Sequence, residues 1–470
     1  MVFQPLLLLT LAAAILLSPL QASAEPTSHS LLPKPPIKPI RFGPSTPIPD
    51  HYIVQYHAHV SQPDRHRHEK ATHFSATEVS RTSTSRGKKR YAGVKRRFSI
   101  GEFGGYHAEL GQEQVDRLRK SPLVKSIHPD TRITLASPAF FQRDTQLPPG
   151  PPPPSPPPSQ QEDQLSTIRT ASAPNWGQAR ISHRSLSSSD AQYIYQDPAP
   201  TTVYIVDSGI DTSHWQFTSP FSSPDNKSRA TFGASFVPDD NATTTDSLGH
   251  GTHVAGIIAG RTLGINPRAH VVSVKVFGAD ASGSWSAVLA ALEYITNTTS
   301  QSRTATRSII NLSLGADHSQ PINDAVAAAI SSFNITIIAA AGNDARNVSQ
   351  VTPASAEGVI AVGAIDATDT RCAFSNFGEG ISVFAPGAGI LSSVPGGGDG
   401  NNNATREMSG TSMAAPHVAG LAAYFIDVYG EHTPAQMRAR IEGVATTGRV
   451  RDAGVGSPDR IAFNGNRAES

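Results

Sequence analysis

Cysteine is almost absent from this chain. Cys372 is the only one among 470 residues, so no disulfide can form within it. The folded state must therefore rest on buried apolar surface. Long apolar runs are scarce as well: past the first two dozen residues, no segment approaches 18 uninterrupted apolar residues, which excludes a helical membrane span there. Net charge is small, with 39 Lys and Arg against 38 Asp and Glu. That balance hides a division. Residues 25–147 carry 20 basic and 11 acidic residues, a balance of +9, and residues 148–470 carry 19 and 27, a balance of −8. A basic stretch ahead of an acidic body suggests a nucleic-acid arm, with Lys88-Lys-Arg90 and Lys95-Arg-Arg97 as its contacts. It equally describes a segment that docks on the body. The folded pattern within the stretch favours docking and no nucleic acid.

What is present comes in five parts. Leu6 to Leu17 form an apolar run closed by Ala22-Ser23-Ala24, the small-x-small pattern of a signal peptide spanning residues 1–24. The mature chain is then expected outside the cell, with a vacuolar or luminal destination as the alternative. A Pro-rich leader fills 25–50. Residues 51–135 read as a small α+β domain. Its strands are expected at His51–Tyr56, Arg97–Ile100, Gly105–Leu110 and Val124–Ile127, with a helix at Gln112–Lys120, and the polar stretch 62–90 as a mobile insert. A Pro-rich linker, 136–172, contains the run Pro148 to Pro158, which suits an extended spacer between domains better than a PxxP ligand. From 173 to 466 near-continuous apolar strands alternate with helices. Strands are expected at 202–206, 270–277, 309–314, 335–341 and 358–365, and helices at 252–259, 285–297, 321–333, 413–429 and 434–443. This pattern predicts a mainly parallel sheet covered on both faces. Seven Asn-x-Ser/Thr sequons occur, at Asn226, Asn241, Asn297, Asn311, Asn334, Asn347 and Asn403. Asn311 lies in an apolar strand and is not expected to carry a glycan.

Three glycine-marked turns carry the chemistry. In Gly410-Thr-Ser412 a serine opens a small-residue helix, where free N–H groups and the helix dipole favour developing negative charge. Alone, that serine reads as an N-cap. Val203-Tyr-Ile-Val-Asp207 ends a buried strand in a carboxylate, at the strand end that carries sites in α/β sheets. No second Asp-Thr/Ser-Gly exists to complete an aspartic-protease dyad. Gly249-His-Gly-Thr-His253 places His250 at a helix start. Its i, i+3 pair with His253 lacks the His-Glu-x-x-His pattern of a metal site. Together Asp207, His250 and Ser412 supply an orienting acid, a base and a nucleophile. Their order differs from the Ser–Asp–His order of α/β-hydrolases, and little chain follows Ser412 to hold a later acid and base.

These three motifs resemble the signatures of subtilisin-like serine proteases. Ala173 to Ser182 is similar to the mature N-terminal region of the secreted proteinase K-like branch, and 51–135 resembles the family's inhibitory propeptide. The resemblance implies a three-layer α/β/α peptidase body preceded by a ferredoxin-like propeptide, and an enzyme made as a self-processing zymogen. It implies an oxyanion donor at Asn343. It places extended substrate between two edges, Ser282-Gly283-Ser-Trp285 and Ser313-Leu314-Gly315. The S1 walls, Ala340-Ala341-Gly342, are small and uncharged, which implies broad specificity with an apolar or aromatic P1. The segment Ser126 to Leu135 is expected in the cleft in the manner of a product. The partners implied are protein substrates and the chain's own propeptide, on a monomer. The chain departs from the family in two respects. Proteinase K-like enzymes usually carry disulfides, and none is possible here. The family's strong calcium site uses an Asp where this chain has Ser382, so no cofactor or metal is expected, with calcium left as the alternative at a site that lacks its Asp.

Overall fold

The computed structural model describes residues 45–78, 91–135, 168–186, 192–196, 201–218, 227–238, 244–396 and 402–466. The signal sequence, most of the leader, Lys88 to Arg90, the polyproline run and the sequons at Asn226 and Asn241 lie outside the described residues.

Alternating apolar residues set up the first domain. β1 (Thr46–Tyr56), α1 (Gln62–Glu78), β2 (Gly93–Ile100), β3 (Phe103–Glu109), α2 (Gln112–Leu118) and β4 (Val124–Thr134) follow in sequence. The strands pair antiparallel in the order β4-β1-β3-β2, the expected ferredoxin-like arrangement. β1 starts within the stretch read as leader. On one face of this sheet Val54, Tyr56, Tyr106 and Ala108 pack with Val115 and Leu118 of α2. On the other, Ile53, Phe98, Ile100 and Phe103 enter the core of the body itself.

The helix α1 corrects the expectation of a mobile insert over 62–90, at least for 62–78. Ser61 opens it, its Oγ accepting from Asp64 N at 3.3 Å. Its buried face is Arg65, Glu69, Thr72 and Ala76, spaced for one side of a helix. Three of those four side chains are polar, so hydropathy conceals the amphipathic pattern. Two of them are satisfied internally: Tyr56 donates to Glu69, the Arg97 guanidinium pairs with the same carboxylate, and Thr72 Oγ1 donates to His68 O at 2.8 Å. Residues 79–90 are not described.

The body begins with β5 (Ile168–Ser172), α3 (Trp176–Ser182) and β6 (Gln192–Gln196). β5, in the stretch read as linker, pairs antiparallel with β6. β7 (Thr202–Asp207), β8 (Ala230–Ser235), α4 (His250–Ala259), β9 (His270–Lys275), β10 (Ser282–Ser284) and α5 (Trp285–Ser302) come next. Then follow β11 (Ser308–Leu312), β12 (Ala316–Asp317), α6 (Gln320–Phe333), β13 (Thr336–Ala340), β14 (Val351–Thr352), β15 (Ile360–Ile365) and β16 (Ile381–Pro386). β17 (Ile390–Ser393), β18 (Thr405–Met408), α7 (Thr411–Tyr429), α8 (Pro434–Val444), β19 (Thr446–Thr447) and β20 (Arg460–Ile461) close the chain. Nine strands form the central sheet in the order β19-β20-β16-β15-β13-β11-β7-β9-β8, all parallel except β19. Both faces are covered. Val203, Ile205, Ile309 and Ile338 meet α4 and α7, while Tyr204, Val206, Ile310 and Ile337 meet α5 and α6. That double burial is why these strands read as continuous apolar runs rather than alternating ones. α7 seats closely on α4 because Gly420 faces Ile258 and Ile265; a Cβ there would lie 2.9 Å from Ile265 Cβ.

The first domain is built onto the body in two ways. β4 extends its sheet by pairing antiparallel with β10, Arg132 to Thr134 against Ser284 to Ser282, and Leu135 N continues the ladder to Ala281 O at 3.0 Å. The apolar face described above packs on α5 and α6, with ion pairs at its rim: Lys125 to Asp324 at 2.6 Å and Arg96 to Glu293 at 3.7 Å. Asp130, fully buried, accepts from Ser286 N at 3.2 Å and so caps α5. Among the described residues, no helix is long and apolar enough to cross a membrane.

Apolar burial should dominate this attachment. Phe103 is buried against the body and outside the first domain's own core, so Phe103→Ala is expected to weaken binding by about 2 kcal/mol or more. Lys125 is 45% exposed, and Lys125→Ala should cost no more than ~1 kcal/mol. Inhibition constants of the added 45–135 segment against the mature body rank the two; a larger effect from Lys125 would make charge the driver.

Candidate active site

Asp207 stands at the carboxyl end of β7, the third strand in from one edge of the central sheet. Its Oδ1 accepts from Ser208 N at 2.7 Å and meets His250 Nδ1 at 2.7 Å. Both side chains are wholly buried. The approach depends on two glycines. Gly249, ahead of α4, has φ +80, which a side chain would strain. A Cβ on Gly251 would lie 2.1 Å from Gly209 O, so only glycine lets the start of α4 seat against the end of β7. Burial lowers the proton affinity of His250, but the Asp207 carboxylate and then Asp246 outweigh it, and the net pKa is raised above the ordinary 6.5. Its outer nitrogen, Nε2, is buried without a hydrogen-bond partner among the described residues. His253, one turn on, faces away: its Nε2 lies 3.0 Å from both Ile390 O and Arg406 O in the β17–β18 hairpin. Burial depresses its pKa to about 3, so it is a neutral donor that pins that hairpin.

Ser412 lies in the first turn of α7, as the Gly-Thr-Ser pattern predicts. Four residues later Pro416 lacks the N–H that would bond Ser412 O. Ser313 Oγ donates to that carbonyl instead, at 2.9 Å, and Ser412 Oγ donates back to Ser313 O at 3.1 Å. The helix start is thus tied to the Ser313–Gly315 edge. Asn343 lies just past β13. Its Oδ1 accepts from Thr411 N and Thr411 Oγ1, both at 2.8 Å, which orients the amide with its oxygen toward α7. Gly342 N donates to Thr411 Oγ1 at 3.0 Å. Asn376 holds the rest of this loop, donating to Ala341 O and accepting from Arg346 N. Thr411 and Asn376 were not singled out from sequence. Thr411 sits inside a quoted motif, but nothing in the local pattern gives its partner 68 residues away.

Both segments expected to flank substrate are among the described residues. Ser282 to Ser284 form β10, which holds the tail of the first domain, with Ile133 opposite Gly283. Trp285 follows as the first residue of α5, 2% exposed, in one apolar cluster with Ile133 and Leu135. Ser313, Leu314 and Gly315 carry no ladder to that tail among the described residues. Ala340 to Gly342 are buried beside the start of α7.

The remaining expectation concerns a cation near Ser382. Its Oγ accepts from Arg438 Nη1 at 3.1 Å, and the same guanidinium donates to Val359 O. A fixed positive charge directed at the oxygen that would replace a carboxylate ligand does not fit a hard dication. Among the described residues, no cluster of three His, Cys, Asp or Glu side chains is placed to hold a metal. Cys372 is buried in the core, its thiol pushed up to about 12 by burial, and serves as packing.

A mainly parallel sheet covered on both faces, preceded by a small domain with an antiparallel sheet, agrees with the comparisons. The family described as the Subtilase family matches residues 199–462, and that of Peptidase inhibitor I9 matches 51–136. The chain belongs to the subtilase family. Subtilisin-like protease 2 of Pseudogymnoascus destructans is 35% identical to it over 98% of each chain. Subtilisin-like protease 4 of Arthroderma benhamiae is 34% identical over 89% of this chain and 91% of that one. The crystal structure of a cold-adapted subtilisin-like serine proteinase superposes with a TM-score of 0.55 at 31% identity, covering 63% of this chain and 99% of that one. This subtilase is a serine endopeptidase with an I9 propeptide, and the relatives it resembles are named subtilisin-like proteases.

The Thr411 contacts should be visible in stability. Thr411→Val leaves Gly342 N and the Asn343 amide oxygen each short of a buried partner, at about 1–3 kcal/mol for such a group. Chemical denaturation of the precursor should show a loss of that order; an unchanged midpoint would remove Thr411 from the support of this loop.

Proposed function

We propose that the subtilase is a secreted endopeptidase of broad specificity that cleaves through Asp207, His250 and Ser412, and is made as a self-processing zymogen. The observation that carries this reading is the buried 2.7 Å contact between Asp207 and His250, whose outer nitrogen has no hydrogen-bond partner among the described residues. In this mechanism Ser412 Oγ leaves the Ser313 carbonyl, gives its proton to His250 Nε2 and attacks the substrate carbonyl. The oxyanion is held by the Asn343 amide and the Ser412 backbone N–H, worth ~3 kcal/mol for such a donor. His250 then protonates the leaving amine, and Asp207 keeps the imidazole oriented and stabilises its cation. Substrate lies extended between Ser282-Gly283-Trp285 and Ser313-Leu314-Gly315, as the propeptide tail does against β10, by strand addition. Small, uncharged walls at Ala340, Ala341 and Gly342 admit an apolar or aromatic P1. The propeptide domain, 51–135, is released by a cut within 136–172, the chain having been exported by the signal sequence at 1–24. Ser382 beside Arg438 holds no calcium, and the enzyme works as a monomer without a cofactor.

Ser412→Ala is expected to abolish peptidase activity and leave the precursor uncut. N-terminal sequencing of the secreted protein with and without the substitution decides it, and normal processing of the variant would sink the assignment. Because His250 must be neutral to accept a proton, activity is lost as pH falls through its raised pKa. The acid limb of kcat/KM should therefore lie above 6.5, the ordinary histidine value. Chelator should leave the melting temperature of the mature enzyme nearly unchanged; a large drop, reversed by calcium and retained in Arg438→Met, would restore a metal to this region.

A further inference from the structure

The loop ahead of α4 buries a carboxylate that the mechanism above does not use. Asp246 is 4% exposed, and five neutral donors converge on it. Its Oδ1 accepts from Ser208 Oγ at 2.8 Å, Leu248 N at 3.1 Å and Gly249 N at 2.9 Å. Its Oδ2 accepts from Thr252 N at 2.8 Å and Thr252 Oγ1 at 2.7 Å. A carboxylate offers about four lone-pair directions, so five donors leave no room for a proton. Burial raises its proton affinity, but the anion is the form these contacts fit.

Its placement answers a problem set by the helix. His250 is the first residue of α4, at the positive end of the macrodipole, where an imidazolium is disfavoured. The N-cap, Gly249, has no side chain to offset that charge. Asp246 does so from three residues upstream, taking two N–H groups before His250 and one after it. It also reaches the other arm of the site. Ser208 Oγ, which donates to Asp246, accepts from Gly251 N at 3.0 Å, and Ser208 is the residue after Asp207. The ends of β7 and α4 are thus joined twice, directly by Asp207 and His250 and indirectly through Asp246 and Ser208.

We propose that Asp246 is a positioning residue for the His250 base, capping α4 with negative charge and tying it through Ser208 to the Asp207 turn. The proposal rests on the catalytic reading of Asp207, His250 and Ser412. The charged and titratable groups around the imidazole are Asp207 from β7, Asp246, and His253 one turn along α4. Lys275 of β9 is paired with Asp207 in the sheet and donates to Thr245 O, next to Asp246.

The test is Asp246→Asn in the full precursor, with activity followed on a peptide substrate. Its amide nitrogen would face the Thr252 donors, and the charge would be gone. The expected result is a roughly ten- to a hundredfold loss in kcat with KM little changed, the scale of a misplaced catalytic group. The acid limb of kcat/KM should move to lower pH, since one of the two anions that hold a proton on His250 is removed. An acid limb that stays in place in folded Asp246→Asn overturns the proposal, because a merely structural role would leave it there. Should Asp246→Asn yield no folded protein, Ser208→Ala carries the test: a loss in kcat at constant KM and constant melting temperature supports the link, and wild-type kcat overturns it. Ser412→Ala in the same series separates the two levels. If it retains activity, the catalytic reading itself fails; if it is inactive while Asp246→Asn behaves as wild type, only the role of Asp246 falls.

Discussion

A short antiparallel ladder, β4 against β10, is the interaction on which the arrangement of this precursor depends. It closes the edge of the first domain's sheet with β10, a strand of the body that lies outside the central sheet, and an edge left open seeks partners. Because the pairing is through backbone groups, it selects an extended strand and leaves side chains to choose pockets. Ile133 and Leu135 then fall among the apolar side chains around Trp285, while the rest of the propeptide sheet is drawn onto α5 and α6. The edge that receives the propeptide, Ser282 to Ser284, shares Ser282 and Gly283 with the edge proposed to receive substrate.

Behind that edge, the site is assembled from positions far apart in sequence by the ends of parallel strands. β7 supplies Asp207, β13 runs into the Asn343 loop, and α4 and α7, packed on one face of the sheet, present His250 and Ser412 in their first turns. Each of these starts is tied by hydrogen bonds that a repeating helix could not make for itself. Ser313 takes the carbonyl left over by Pro416, and Asp246 takes the amides ahead of His250. Two of the groups proposed to react, His250 and Ser412, are thus fixed at helix ends, where backbone donors and acceptors remain available.

Much of this was legible in the sequence. The body strands announced themselves because both faces are buried, and the three chemical residues because each sits among glycines that close packing requires. Helix α1 was not, because its inward face is Arg65, Glu69 and Thr72, which any hydropathy pattern assigns to water. β8 and β16 escaped as well. β8, Ala230 to Ser235, is only partly buried and lacks a long apolar run, and in β16 an apolar run is broken by Ser382. Nor could the sequence reveal Thr411 against Asn343, or Asn376 against Ala341 and Arg346. Those contacts are made by ordinary polar residues, and only the fold gives their partners.

Among the described residues, the propeptide's own interior consists of nine buried apolar residues, with Tyr56, Glu69 and Arg97 joined beneath α1 by polar contacts. Its second apolar face is finished only by the body. A domain with so small a core of its own keeps its shape largely through the surface it shares. On the proposed release, Ile53, Phe98, Ile100 and Phe103 would meet water and the backbone would open to cleavage. The restraint would then be consumed in being lifted, and separation would run in one direction.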